Sequence, residues 1–333
     1  MKKIILGLLV VAIMVFAVTR NDSPEPERLV LGIVMPGETH GFLGESIRHA
    51  EIAAREMSEI FGVDYLFLTS VNAIDQNAQL DELVEKNVDA IVLWPHTGGD
   101  LRIAAAGIRE AGIPLIIYDR LITGFPANVE IMGDNVLIGQ KAGEYFNRFF
   151  TAELRVGNVY FLEFRGDDST VPEQRSGGFG QTRNANLVRL DQFYTNWQRR
   201  VAMEKMESFL ATRTIEDIER VKAIFTHDDE VALGVLDAIQ NFTGDAALNI
   251  RLISGVSGSR EYLDTFAPIK ERFGISKVTY EFSPSMIREA IETGMRILNG
   301  EDISGLILIP TYEIDNANEA EYRNSEVYIL RYS

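Results

Sequence analysis

The sequence predicts an α/β protein built from two doubly wound domains, each a mostly parallel sheet with helices on both faces. Two observations carry this. Apolar runs of strand length alternate with amphipathic stretches of helical length along nearly the whole chain, which is the pattern of βαβ units. About ten such strands are more than one domain of ordinary size carries, and 333 residues at 46% hydrophobic content suffice for two cores.

Taken in order, the apolar runs place strands over 29–35, 65–69, 90–94, 115–119, 156–163, 187–194, 223–226, 248–254 and 275–282. Amphipathic patterns between them place helices over 45–61, 76–85, 137–149, 201–210 and 231–239. Ahead of the fold, Lys2 and Lys3 precede an uncharged stretch over 4–18. This is too short for a membrane span, which needs roughly 20 apolar residues, and fits a secretory signal over 1–20. Ala17, Val18 and Thr19 imitate a small-x-small cleavage site only loosely, so an uncleaved N-terminal anchor stays as the alternative. Residues 21–28, polar and carrying Pro24 and Pro26, read as an extended linker, and folding is expected to begin near Leu29.

The chain has no cysteine, which excludes a lipid-modified lipoprotein, disulfides, thiolate metal sites and cysteine nucleophiles. Its net charge of −17 would become −20 without Lys2, Lys3 and Arg20, so nucleic acid is not an expected partner. There is no Gly-x-Ser-x-Gly elbow, no His-Glu-x-x-His, no Walker pattern and no dinucleotide fingerprint, and Gly255 to Ser259 is only a near miss. No enzyme and no cofactor are predicted. His40, His96 and His227 follow predicted strands within reach of Asp119 and Asp228, but no short His-x-x-x-His spacing supports a metal site. None is predicted, and these imidazoles are read as neutral hydrogen-bonding groups for a polar ligand.

In an open parallel sheet, ligands bind beyond the carboxyl ends of the strands. Asp119 and Arg120 end the strand 115–119, where burying an ion pair is costly unless it grips something; taken alone, the dipeptide is equally a structural salt bridge. Phe42, after the first strand, can offer a flat apolar face to a ligand or cap the core at a helix start. Trp94 is either an aromatic wall or core.

Three stretches give these residues a context: Ile117-Tyr-Asp-Arg-Leu-Ile, then Asp134-Asn135 with Gly139 and Gly143, then Phe225-Thr-His-Asp-Asp-Glu-Val-Ala-Leu-Gly234. In this order, and over roughly 29–309, the chain resembles the periplasmic sugar-binding proteins of the ribose, galactose and xylose type. The resemblance implies a type I periplasmic binding protein fold, two Rossmann-like lobes joined by a three-segment hinge near 132–133, 282–283 and 310–311. The lobes would be 29–132 with 283–310, and 133–282 with 311–333.

It also implies ligand contacts. Phe42 and Trp197 would be stacking aromatics from opposite lobes, and Asp119 and Arg120 would be acceptor and donor. Arg175, taken to open a helix after 166–168, would reach the ligand from the second lobe, and Asp228 would hydrogen-bond it. His40 and Trp94 complete the expected wall. Ser257 and Phe282 depart from the family, which often has an Asp and an amide-bearing residue there, so a less hydroxyl-rich ligand end is expected. Asp229 and Glu230 are read as structural acids at a helix start. The implied function is an exported, monomeric receptor that captures a monosaccharide or related polyol by hinge closure and delivers it to an ABC permease. The alternative is a sensor of the same fold engaging a membrane histidine kinase or chemoreceptor. A Lac-repressor-type regulator would need a basic helix-turn-helix where the signal-like segment stands.

Overall fold

The structure is a computed structural model that describes residues 28–37 and 41–333; the export segment, residues 21–27 of the linker and His40 lie outside the described residues. Twelve strands form two six-stranded sheets. The first holds β1 (Val30–Pro36), β2 (Asp64–Ser70), β3 (Ala90–Leu93), β4 (Leu115–Tyr118), β5 (Val129–Gly133) and β11 (Gly305–Ile309), in the order β2-β1-β3-β4-β5-β11. The second holds β6 (Val159–Arg165), β7 (Leu187–Tyr194), β8 (Val221–Thr226), β9 (Leu252–Ser254), β10 (Ser276–Tyr280) and β12 (Glu313–Asp315), in the order β7-β6-β8-β9-β10-β12. Every pairing is parallel except β10 with β12.

Strands buried on both faces explain the continuous apolar runs. Ile33, Met35, Ile116 and Tyr118 join the core on one face of the first sheet, while Val34, Leu115 and Ile117 join the core on the other, as a period of two requires. In the second sheet Leu162, Phe164 and Ile224 separate in the same way from Phe161, Ala223 and Phe225.

The chain passes between the sheets three times: after β5, between β10 and the helix Ile287–Leu298, and between β11 and β12. That helix buries Ile287, Ala290, Ile291 and Met295 in the first core, and the short C-terminal helices Glu319–Tyr322 and Glu326–Tyr332 bury Tyr322 and Tyr328 in the second. In both sheets the strand order reverses beside the first strand, so β1/β3 and β6/β8 are the switch points where a crevice opens.

Three strands were not anticipated. β5 carries Glu130 among its apolar residues, β11 is an edge strand with Leu306 and Leu308 exposed, and β12 has only three residues. The strand expected over 248–254 is shortened to Leu252–Ser254 and the one over 156–163 begins at Val159.

Candidate functional site

Eight of the ten sequence-predicted contact residues line one narrow cavity between the two sheets' carboxyl ends: Phe42, Trp94, Asp119, Arg120, Arg175, Trp197, Asp228 and Phe282. Val171 and Val256 complete the lining.

The first sheet supplies aromatic rings and an acid–base pair. Trp94, directly after β3, stands edge-on to Tyr118 at 5.1 Å and to Phe42 at 6.3 Å, so it serves the core and the cavity together. Its indole N–H has no hydrogen-bond partner among the described residues, although it lies near enough to Asp119 to favour that carboxylate. Asp119 sits just past β4 with φ of 64°, a left-handed backbone that turns its carboxylate into the cavity. Burial raises its pKa, and Arg120 and Arg175 pull in the opposite direction.

Arg120 does not chiefly pair with its neighbour. Its Nε is 3.9 Å from Asp119, while its Nη2 donates to Asp167 at 3.0 Å and its Nη1 to the His96 carbonyl at 2.8 Å. Asp167 follows β6, so this ion pair spans the two sheets. Burial opposes the charged form of Asp167, but Arg120 and hydrogen bonds to Ser169 outweigh it and the pKa is lowered.

The second sheet supplies a buried cation, a ring and a capping acid. Arg175 lies in the second turn of the helix Thr170–Thr182 rather than at its opening; Ser169 is the N-cap. Its Nε donates to Asn135 at 2.9 Å, its Nη1 to the His227 carbonyl, and its guanidinium carbon stands 4.6 Å from the Phe282 ring centroid. Burial lowers its pKa to about 10, which leaves it charged at neutral pH. Trp197 has φ of 62° after Asn196 at 51°; for a bulky residue this strain costs about 1–3 kcal/mol and aims the ring into the cavity. Room is made by two glycines: a Cβ on Gly166 would stand 2.1 Å from Trp197, and one on Gly133 would stand 2.2 Å from Phe282. Asp228 caps the helix Asp229–Asn241 through the Glu230 N–H at 2.8 Å. Burial first, then Asp229 and Glu230, push its pKa up to about 8. Asp229 turns away from the cavity and accepts from Ser259 N and Thr279 Oγ1, which is a structural use.

Phe42 and Trp197 do come from opposite sheets, but the ring nearest Phe42 is Phe282, 5.5 Å away. Ser257 does not line the cavity. Its Oγ and carbonyl both accept from Arg331, at 2.9 and 3.0 Å, and Arg331 also grips Glu45 on the helix Gly41–Phe61. Of the histidines singled out in the sequence, the two described ones make structural contacts: His96 Nε2 contacts the Ser70 carbonyl and His227 Nε2 contacts Glu163. Burial lowers both pKa values, so both rings are neutral. Asp167 and Arg331 were missed, Asp167 because only its distance to Arg120 gives it meaning, Arg331 because it acts from the chain's last helix.

A family model described as periplasmic binding protein domain matches residues 31–302. The ribose import binding protein RbsB of Bacillus subtilis is 25% identical over 237 residues, 71% of each chain. Among solved structures, a Mycobacterium smegmatis protein in complex with beta-D-fucofuranose superposes with a TM-score of 0.77 at 20% identity, covering 91% of this chain and 96% of the other. An ABC transporter solute binding protein from Bacillus halodurans with bound myo-inositol gives 0.75 at 20% identity, covering 89% and 97%.

Proposed function

This chain belongs to the periplasmic binding protein family, and from that premise we propose that it captures a monosaccharide or related polyol between two closing lobes and hands it to an ABC importer. The lobes are residues 29–132 with 283–310, and 133–282 with 311–333. One observation carries the proposal: a cavity between the sheets combines four aromatic faces with two arginines and two carboxyl groups, drawn from both sides. Aromatic faces suit the C–H faces of a sugar ring, and fixed donors and acceptors suit its hydroxyls. The relatives' named ligands, ribose, fucofuranose and myo-inositol, are of that size and chemistry.

Phe282 covers one end of the cavity with a ring, so that end asks for a deoxygenated or substituted ligand edge. The protein acts as a receptor without catalysis, outside the cytoplasm, as a monomer that meets a membrane permease. Titration calorimetry over pentoses, hexoses, deoxysugars and polyols tests this. A member of the panel is expected to bind, and Asp119→Ala is expected to weaken it by about a hundredfold or more, the loss of a charge-assisted pair of bonds. Binding of an amino acid or nucleoside instead of every carbohydrate would overturn the sugar assignment.

A further inference from the structure

A second cavity lies beside the crossover segments, away from the sugar cleft, and is lined by Glu281, Tyr312, Glu313, Asn318, Glu321 and Tyr322. Part of its polar lining is already engaged. Glu313 accepts from Arg148 at 2.6 Å, and Asn318 uses both ends of its amide on Asp315 N and the Glu313 carbonyl. Two groups are not. Tyr322 is only 6% exposed and its hydroxyl has no hydrogen-bond partner among the described residues. Glu281 is 9% exposed, and its carboxylate makes no hydrogen bond or ion pair among them.

Leaving a buried carboxylate without a countercharge is expensive, because desolvation then has nothing to offset it. Burial alone pushes the Glu281 pKa up to about 7, with no cation nearby to hold it down. Glu281 and Tyr322 both line this cavity, and after burial Glu281 is the largest electrostatic influence on the Tyr322 hydroxyl. The exposed ring of Tyr312 forms part of the wall, a surface on which a cation can rest.

We propose that this cavity is a second binding site, for an organic ammonium ion held by the Glu281 carboxylate, with the Tyr322 hydroxyl and the Tyr312 ring beside it. A metal ion is the poorer fit, since among the described residues no three His, Asp or Glu side chains converge to hold one. An ammonium group brings three donors of its own and needs a single carboxylate. Its aliphatic part would lie on apolar wall.

The test is titration calorimetry of the full chain with propylammonium chloride, against sodium chloride at matched ionic strength. Saturable binding of propylammonium and not sodium is expected. It should weaken about tenfold or more in Glu281→Gln and severalfold in Tyr322→Phe, the scale of losing a charged and a neutral hydrogen bond. Asp119→Ala, in the other cavity, should leave it unchanged, which separates this proposal from the sugar assignment. Absence of saturable binding, undiminished binding in Glu281→Gln, or loss in Asp119→Ala would each overturn the proposal. If Glu281→Gln does not fold, Tyr322→Phe decides alone, and wild-type affinity there counts against the site.

Discussion

Arg120 and Arg175 occupy the same cavity and are held in opposite ways. Arg175 is fixed within the second sheet's own surroundings, by Asn135 and the His227 carbonyl, with Phe282 against its face. His227 is itself anchored to Glu163, which also accepts from Ser176 and Arg189. Burial would raise the Glu163 pKa, but its bonds from His227, Ser176 and Arg189 win and hold it down at about 2. Arg120 instead draws its shortest ion pair from Asp167 across the cleft, and its Nε has no hydrogen-bond partner among the described residues. One arginine is held wholly within its own half; the other, anchored by the His96 carbonyl, takes its closest carboxylate from the opposite half. Preorganised contacts set how strongly a ligand is recognised, and contacts made across a closing cleft set how long it stays.

The largest expected effect is therefore at Arg175. Arg175→Ala would strand a buried network and strip Asp119 and Asp228 of a shared cation, costing about 3–5 kcal/mol of stability. Thermal melting should fall by roughly 5–15 °C, and ligand binding should be lost. Asp167→Asn should behave differently: little change in melting, an affinity loss of about tenfold, and the loss expressed mainly as faster release in stopped-flow displacement. Equal melting losses in the two variants would erase the distinction between a prebuilt and a closure-dependent arginine.

That distinction was only half legible in the sequence. Apolar runs with a continuous Val, Ile and Leu content gave away nine strands, because strands buried on both faces leave that signature. The edge strands β11 and β12 left none, since one is exposed and the other too short to show a period. Asp119, Arg120, Arg175 and Asp228 could be named because polar residues at the ends of buried strands and at helix starts stand out against their neighbours. Their partners could not. The pairing of Arg120 with Asp167 and of Ser257 with Arg331 joins residues 47 and 74 positions apart, and only tertiary packing decides such contacts. The left-handed backbone at Asp119 and Trp197 was likewise invisible, because neither residue type announces it as glycine would.

The smallest and sharpest effect is a pH dependence carried by Asp228. In this structure its pKa is about 8, raised by burial and by Asp229 and Glu230, against an ordinary value of 3.8. A raised carboxyl favours the state that buries it only while it is protonated. Asp229 and Glu230 stay beside Asp228 in either form, so only the burial that closure adds counts, and that contribution is lost as pH rises toward about 8 and is spent above it. Asp119, whose pKa is also raised by burial, acts in the same direction, with Arg120 and Arg175 opposing it. Arg175 stays charged throughout, since its pKa remains near 10. Small-angle scattering of the ligand-free protein should show the compact population falling as pH rises from 5 to 8, by up to about tenfold in the closing equilibrium per unit. Asp228→Asn keeps the cap acceptor for Glu230 N and removes the titration, so its profile should be flatter. A profile as steep as the wild type's would move the proton to another group, and a wild type with no pH dependence would mean that Asp228 stays as solvated in the closed form as in the open one.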